Sequence, residues 1–245
     1  MACDPAARNP REGAAQRPWR CGEDAVITVA MTDTDPKSLD SWTATARRIV
    51  QDGAVARHAD IAASGLPRAA LIAASDFPVD PILLTGAAPG EIYDIRNVAG
   101  LVPPSAGEEI DRSMGAALEF AVRVHGVRHI ILLAHPDCGL VRCLIDEDAP
   151  GAAMVMQGQF LPSWTTVAAS ALSRALRRID LPEDDRARLC CQEIMRVSFE
   201  NLMTYQWVLD PVFDGRLTLH GWYCDARNGI FSRFNPATDE FISDS

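Results

Sequence analysis

Residues 129–139 read His-Ile-Ile-Leu-Leu-Ala-His-Pro-Asp-Cys-Gly. An apolar run of this length, uninterrupted by polar residues, suits a short buried strand. It stops at His135, and Cys138 follows just before Gly139. An imidazole and a thiol are therefore delivered together to the polar end of one strand. Both are zinc-ligand types, and at this spacing they can point at one ion.

The rest of the chain alternates in the same manner. Residues 69–74 (AALIAA) form a second apolar run, which ends at Ser75-Asp76, and residues 91–96 (EIYDIR) alternate like a strand. Residues 108–125 carry Ile110, Met114, Ala117, Leu118, Ala121 and Val122 at helical spacing. Another helical segment starts at Gly139. Residues 165–179 and 183–208 read as two more helices, with Pro162 and Pro182 near their starts. Strands are expected at 216–223 and 230–234, on either side of a turn at Arg227-Asn228-Gly229. Toward the N-terminus, residues 25–31 (AVITVAM) read as a short strand. Asp40 or Ser41 is expected to cap a helix running to about residue 52.

Strands alternating with helices predict an α/β fold, a single domain with a mainly parallel central sheet flanked by helices. Residues 1–22, rich in Ala, Pro, Arg and Gly and without periodicity, are expected to be a mobile tail, and residues 23–245 the domain. Ligands of such sheets gather at the carboxyl ends of the strands. Asp76 and the His135–Cys138 turn both follow strand ends, so they are expected to be neighbours despite their separation in sequence.

The formal net charge of −10 argues against a nucleic-acid partner or an anionic membrane surface, both of which favour basic proteins. The seven cysteines are odd in number and irregularly spaced, unlike a secreted disulfide framework. With no signal-type apolar segment near the start and no run long enough to span a membrane, a reducing cytoplasm is the expected location. Residues 86–90 (GAAPG) lack the Lys-Ser/Thr of a phosphate loop and read as a turn, and no GxSxG nucleophile elbow occurs. For the adjacent Cys190 and Cys191 in a helix, one buried and one exposed residue is expected. His129, opening a strand, and His220, inside a late strand, read as structural. His58 and His125 read as surface residues on helices.

Five stretches carry a family resemblance: ASDFPVDP (74–81), PGEIYDIRNVAGLVPP (89–104), GVRHIILLAHPDCG (126–139), SFENLMTY (198–205) and LHGWYCDARNGIF (219–231). In order and spacing the chain resembles a β-class carbonic anhydrase from about residue 40 to 241. The resemblance implies a parallel sheet with flanking helices, an N-terminal helix that wraps a partner, and a homodimer or dimer-based larger assembly. It also implies a zinc ion held by two Cys and one His. The implied reaction is reversible hydration of CO2 to bicarbonate by zinc-bound hydroxide, with this small molecule as the partner.

His135 and Cys138 match the family's second and third ligands. The first ligand belongs to a Cys-x-Asp-Ser-Arg motif. Aligned on Asp76, its Cys position is Ala74, its Ser is Phe77 and its Arg is Pro78. In the family the arginine holds the aspartate off the metal, where the aspartate orients the reacting water. Without that arginine, Asp76 is free to coordinate, and Asp/His/Cys keeps the formal charge of Cys/His/Cys. Zinc accepts carboxylate oxygen at about 2.0–2.2 Å. The expectation is a rebuilt site of Asp76, His135 and Cys138 with weak or altered activity, Asp76 being catalytic only where it is not a ligand. Phe77 and Pro78 would dry the pocket, and Asp137 would support the loop. The alternatives are a decayed site in a non-catalytic structural or assembly partner, a zinc-dependent hydrolase of another small electrophile, and recruitment of Cys143, which is expected to face away.

Overall fold

The apolar runs become the inner strands of a six-stranded sheet in the computed structural model of the chain. The structure describes residues 17–20, 26–29, 39–51, 67–88, 90–106, 112–177, 180–236 and 238–243. The chain divides into two compact units, residues 1–57 and 58–245. In the first, β1 (Arg17–Arg20) pairs antiparallel with β2 (Val26–Val29), Arg17 lying opposite Val29. Thus a strand forms within the segment expected to be a tail. Helix α1 (Leu39–Gln51) follows, where a helix to about residue 52 is expected.

The second unit opens with β3 (Ala69–Ala74), the short helix α2 (Pro81–Thr85) and β4 (Ile92–Asn97). Helix α3 (Arg112–Glu119) leads to β5 (His129–Ala134). Four helices come next: α4 (Gly139–Ile145), α5 (Ala152–Gln157), α6 (Leu161–Leu176) and α7 (Glu183–Leu202). Helix α8 (Gln206–Phe213) precedes β6 (Thr218–Asp225), β7 (Ile230–Asn235) and β8 (Glu240–Ser243). The sheet order is β4-β3-β5-β6-β7-β8. The first four strands are parallel, and β6, β7 and β8 form an antiparallel meander. The chain steps outward from β3 to β4, then returns to lay β5 on the other side of β3. The crevice between the carboxyl ends of β3 and β5 is therefore the topological switch point, where open α/β sheets take their ligands.

Burial on both faces explains the unbroken apolar runs. On one face Ala70, Ile72, Ile130 and Leu132 pack with Met114, Leu118, Met195, Leu202 and Val208 from the helices. On the other, Leu71, Ala73, Ile131 and Leu133 meet Phe77 and Cys224. A second apolar layer joins α4 to α7 through Val141, Trp164, Ala168, Ala171, Cys190 and Ile194. Because α7 is covered by the sheet along one flank and by α6 along another, consecutive positions both point inward. Cys190 and Cys191 are accordingly both buried, against the expectation that one would be exposed.

The helix expected at 183–208 is two helices. Its break at Met203–Tyr205 serves the segment 102–105. Asn201 Nδ2 donates to Val102 O at 2.8 Å, Ser105 N to Thr204 Oγ1 at 2.8 Å, and the Tyr205 hydroxyl to Pro103 O at 3.0 Å. The helix expected at 108–125 ends in a π-turn over Phe120–Val124, with His125 N donating to Phe120 O at 3.0 Å. Among the described residues no helix is long and apolar enough to cross a membrane.

Candidate metal centre

The loop after β3 is built to hold Asp76 in one place. Ser75 N donates to Asn97 O at 2.7 Å, and Phe77 N closes a tight turn onto Ala74 O at 3.1 Å. Arg96, reaching over from β4, donates through Nη1 to Ala74 O (3.1 Å) and Phe77 O (3.2 Å), and through Nη2 to Val79 O (3.2 Å). Its Nε also faces Asp94 Oδ2 at 3.3 Å. Beyond the turn, Asp80 caps α2 by accepting from Ile82 N and Leu83 N, with Pro81 preset for the first helical position. A loop tied at so many points holds its side chains with little freedom.

The second loop comes from β5. Strand β5 ends at Ala134, His135 and Cys138 are both buried, and α4 starts at Gly139. The Gly139 N–H donates to Asp76 Oδ2 at 2.6 Å. A Cβ at Gly139 would stand 3.1 Å from that oxygen, a tight contact that glycine avoids. Asp137 faces Arg142 Nη2 at 3.1 Å and Arg227 Nε at 2.8 Å, which ties the turn to α4 and to the β6–β7 turn.

Across the crevice, His135 Nε2 lies 3.3 Å from Asp76 Oδ1. One ligand atom each from Asp76, His135 and Cys138 falls within 4.8 Å of the others. The three expected residues thus meet, and among the described residues no other such group of His, Cys, Asp or Glu forms. No arginine pairs with Asp76 among the described residues; the one nearest in role, Arg96, is engaged by carbonyl oxygens. Cys143 stays outside, with Sγ on Pro150 O at 3.6 Å. His125 is half-buried between Tyr93 and Phe120, with ring centroids at 5.4 and 4.8 Å, and is not simply a surface residue. The reading of His58 lies outside the described residues.

The electrostatics suit a cation. The hydrogen bond from His135 holds the Asp76 carboxyl below its ordinary value of 3.8, outweighing partial burial, and the Gly139 N–H adds to the effect. Burial pushes the Cys138 thiol up to about 12, with the Asp76 charge acting in the same direction. Cys138 would have to give up its proton to serve as a metal ligand. His135 Nδ1 is buried without a hydrogen-bond partner, so the imidazole's capacity is not exhausted by Asp76. Nitrogen, oxygen and sulfur donors in one cluster are the set zinc accepts. Phe77 packs on His135, ring centroids 5.1 Å apart, and walls the imidazole off with hydrocarbon.

Arg96 and Gly139 are the positioning residues that sequence reasoning passed over. Asp94 and Arg96, two apart in a strand, share one face, which is the signal that was available for Arg96.

A family model described as carbonic anhydrase matches residues 69–231. The chain is 31% identical over 187 residues to β carbonic anhydrase 6, mitochondrial, of Arabidopsis thaliana, a match covering 73% of this chain and 62% of that protein. It is 32% identical over 186 residues to a carbonic anhydrase of Pseudomonas aeruginosa, covering 72% of this chain and 77% of that one. Against three Arabidopsis relatives the chain spans from 56% to 66% of their length. Among solved structures, the β-carbonic anhydrase CcaA has a TM-score of 0.73 at 23% identity, covering 84% of this chain and 92% of that one, which shows a shared fold. The family match takes in all four parallel strands and both loops that meet at the crevice, and this chain belongs to the β-class carbonic anhydrase family.

Proposed function

We propose that the chain holds a zinc ion through Asp76, His135 and Cys138 and catalyses reversible hydration of CO2 to bicarbonate more slowly than a site with the full motif. The observation that carries this reading is the 3.3 Å approach of Asp76 Oδ1 to His135 Nε2, with Cys138 in the same cluster and, among the described residues, no arginine drawing the carboxylate away. Zinc bound there would act as a Lewis acid that lowers the pKa of water to about 7.

The chain's own residues do the rest. Cys138 gives up its proton on loading, so affinity rises with pH. Phe77 and the buried flank of His135 keep an apolar wall beside the reacting centre, which suits a small apolar electrophile. Asp76 supplies the third donor where Ala74 has none. A carboxylate engaged as a ligand does not also orient a water proton, and losing such positioning costs a factor of about 10² or more. That is the physical reason for a slow reaction.

Large apolar side chains stand exposed on the single chain, Leu83 and Phe213 each at 79% and Phe160 at 73%. This supports assembly as a homodimer or larger, which sedimentation velocity measures directly.

Metal analysis paired with stopped-flow CO2 hydration on one sample tests the function. The expected result is about one zinc per chain, lost by at least tenfold in Asp76→Ala while far-UV circular dichroism is unchanged. Zinc retained in that variant removes Asp76 from the ligand set. Hydration seen only after Ala74→Cys with Pro78→Arg assigns the natural chain to a non-catalytic role.

A further inference from the structure

Two histidines that read separately as structural meet at the other end of the sheet. His129 opens β5 and His220 is the third residue of β6. The parallel register sets His129 beside Thr218 and Ile131 beside His220, so the two imidazoles are diagonal neighbours on one face. His129 Nδ1 lies 3.2 Å from His220 Nε2, with ring centroids 5.2 Å apart and planes tilted by 53°. His135 is about 20 Å away along β5, at six residues of about 3.3 Å each.

We propose that His129 and His220 form a second metal site, a two-imidazole chelate for a borderline divalent transition-metal cation. Two ring nitrogens facing each other across this distance share at most one proton, so at least one lone pair points at the neighbouring ring. A cation takes the place of that proton. Metal–imidazole bonds of about 2.0–2.1 Å put two cis or tetrahedral nitrogens about 2.9–3.4 Å apart, the separation already present. Both lone pairs converge on one ion when each ring turns off the line joining the two nitrogens by roughly 35–45°, the angle that cis or tetrahedral coordination sets.

The surroundings keep the pair ready. Burial, together with the neighbouring His129, makes His220 less basic than an ordinary histidine. His129 is exposed, which gives a cation an entry path and leaves its remaining positions open to water. Among the described residues no carboxylate or thiol joins the pair in a three-donor group. With imidazole as the only donor, the preference follows the order in which nickel and copper exceed the earlier divalent metals. Such an ion would staple β5 to β6 across strands that are far apart in sequence.

The inference does not depend on the zinc site. Its test is calorimetric titration of the full chain with Ni2+, using Ni2+ because it does not oxidise the thiols. The expected result is a site whose affinity falls at least tenfold in both His129→Asn and His220→Asn and is unchanged in His125→Asn. His135→Ala leaves that Ni2+ site in place. No Ni2+ binding by the His135→Ala chain, in which the carboxyl-end cluster is broken, overturns the proposal, as does binding to that chain that survives the addition of His129→Asn. Loss in only one of the two variants also overturns it, since a lone surface imidazole would behave that way. Should the half-buried His220→Asn fail to fold, His220→Gln takes its place in the same comparison.

Discussion

The two ends of the parallel strands treat the same side chain in opposite ways. At the carboxyl ends His135 is 2% exposed, walled by Phe77 and set against Asp76 and Cys138 from two loops. At the amino ends His129 is exposed and meets His220, and among the described residues no carboxylate or thiol completes a group with them. The difference comes from topology. At the switch point the chain leaves β3 and β5 in opposite directions, and the diverging loops enclose a crevice into which each contributes side chains. At the amino ends β5 and β6 run side by side without such a crevice, so contacts there are made by adjacent strands alone. A histidine's chemistry in this molecule is set by which end of its strand it occupies.

The sharpest way to break that contrast is His135→Ala. It removes the only imidazole of the carboxyl-end cluster and is expected to reduce bound zinc by at least 10²-fold in metal analysis, in line with the dependence of such sites on each donor. If zinc persists, the buried end is not the metal-binding end. A smaller effect is expected from Arg96→Ala, which takes away the cation that ties three carbonyl oxygens of the Asp76 loop. The side chain is 25% exposed, so the loss is expected to be about 2–3 kcal/mol in chemical denaturation. Zinc affinity should weaken with it, because the carboxylate is no longer held beside His135. Unchanged affinity would mean that Gly139 alone fixes Asp76.

The smallest effect is expected at Asp225, where β6 reaches its carboxyl end. Burial alone would raise this carboxyl. The Asn228 side chain and the backbone N–H groups of Asn228 and Arg227 outweigh it and hold the group below its ordinary value of 3.8. A carboxyl lowered on folding stabilises the native state above its unfolded value and loses that contribution as pH falls through the folded one. Asp225→Ala is therefore expected to cost about 1 kcal/mol at pH 7, with the gap to the natural chain closing below pH 3.8. A gap that stays constant in acid would locate the cost in packing and not in charge.

Much of this was legible in the chain. The runs at 69–74 and 129–134 are buried on both faces, and that burial leaves the apolar signal unmistakable. Strand ends then located Asp76, His135 and Cys138 without any contact information. What escaped reading depends on partners distant in sequence. Arg96 finds its acceptors 17 to 22 residues away, and His129 meets a residue 91 positions on. The stop of α7 at Leu202 is set by the segment 102–105, whose polar groups take up Asn201, Thr204 and Tyr205. Helix α2 and strand β8 span five and four residues, too few to display a period. Cys190 and Cys191 follow from α7 being enclosed along two flanks, a fact of packing that no local pattern carries.

The position of β6 also governs how the molecule comes into being. Strand β5 lies between β3 and β6, yet β6 begins at Thr218. As the chain emerges from the ribosome, Asp76, His135 and Cys138 are all out long before β6, one of the two neighbours of β5, is made. Until then one flank of β5 is an open row of amide groups on an apolar ribbon, the form of edge that invites pairing with another chain. Between residues 134 and 218 the growing chain thus carries β5 with one of its two edges still unpaired.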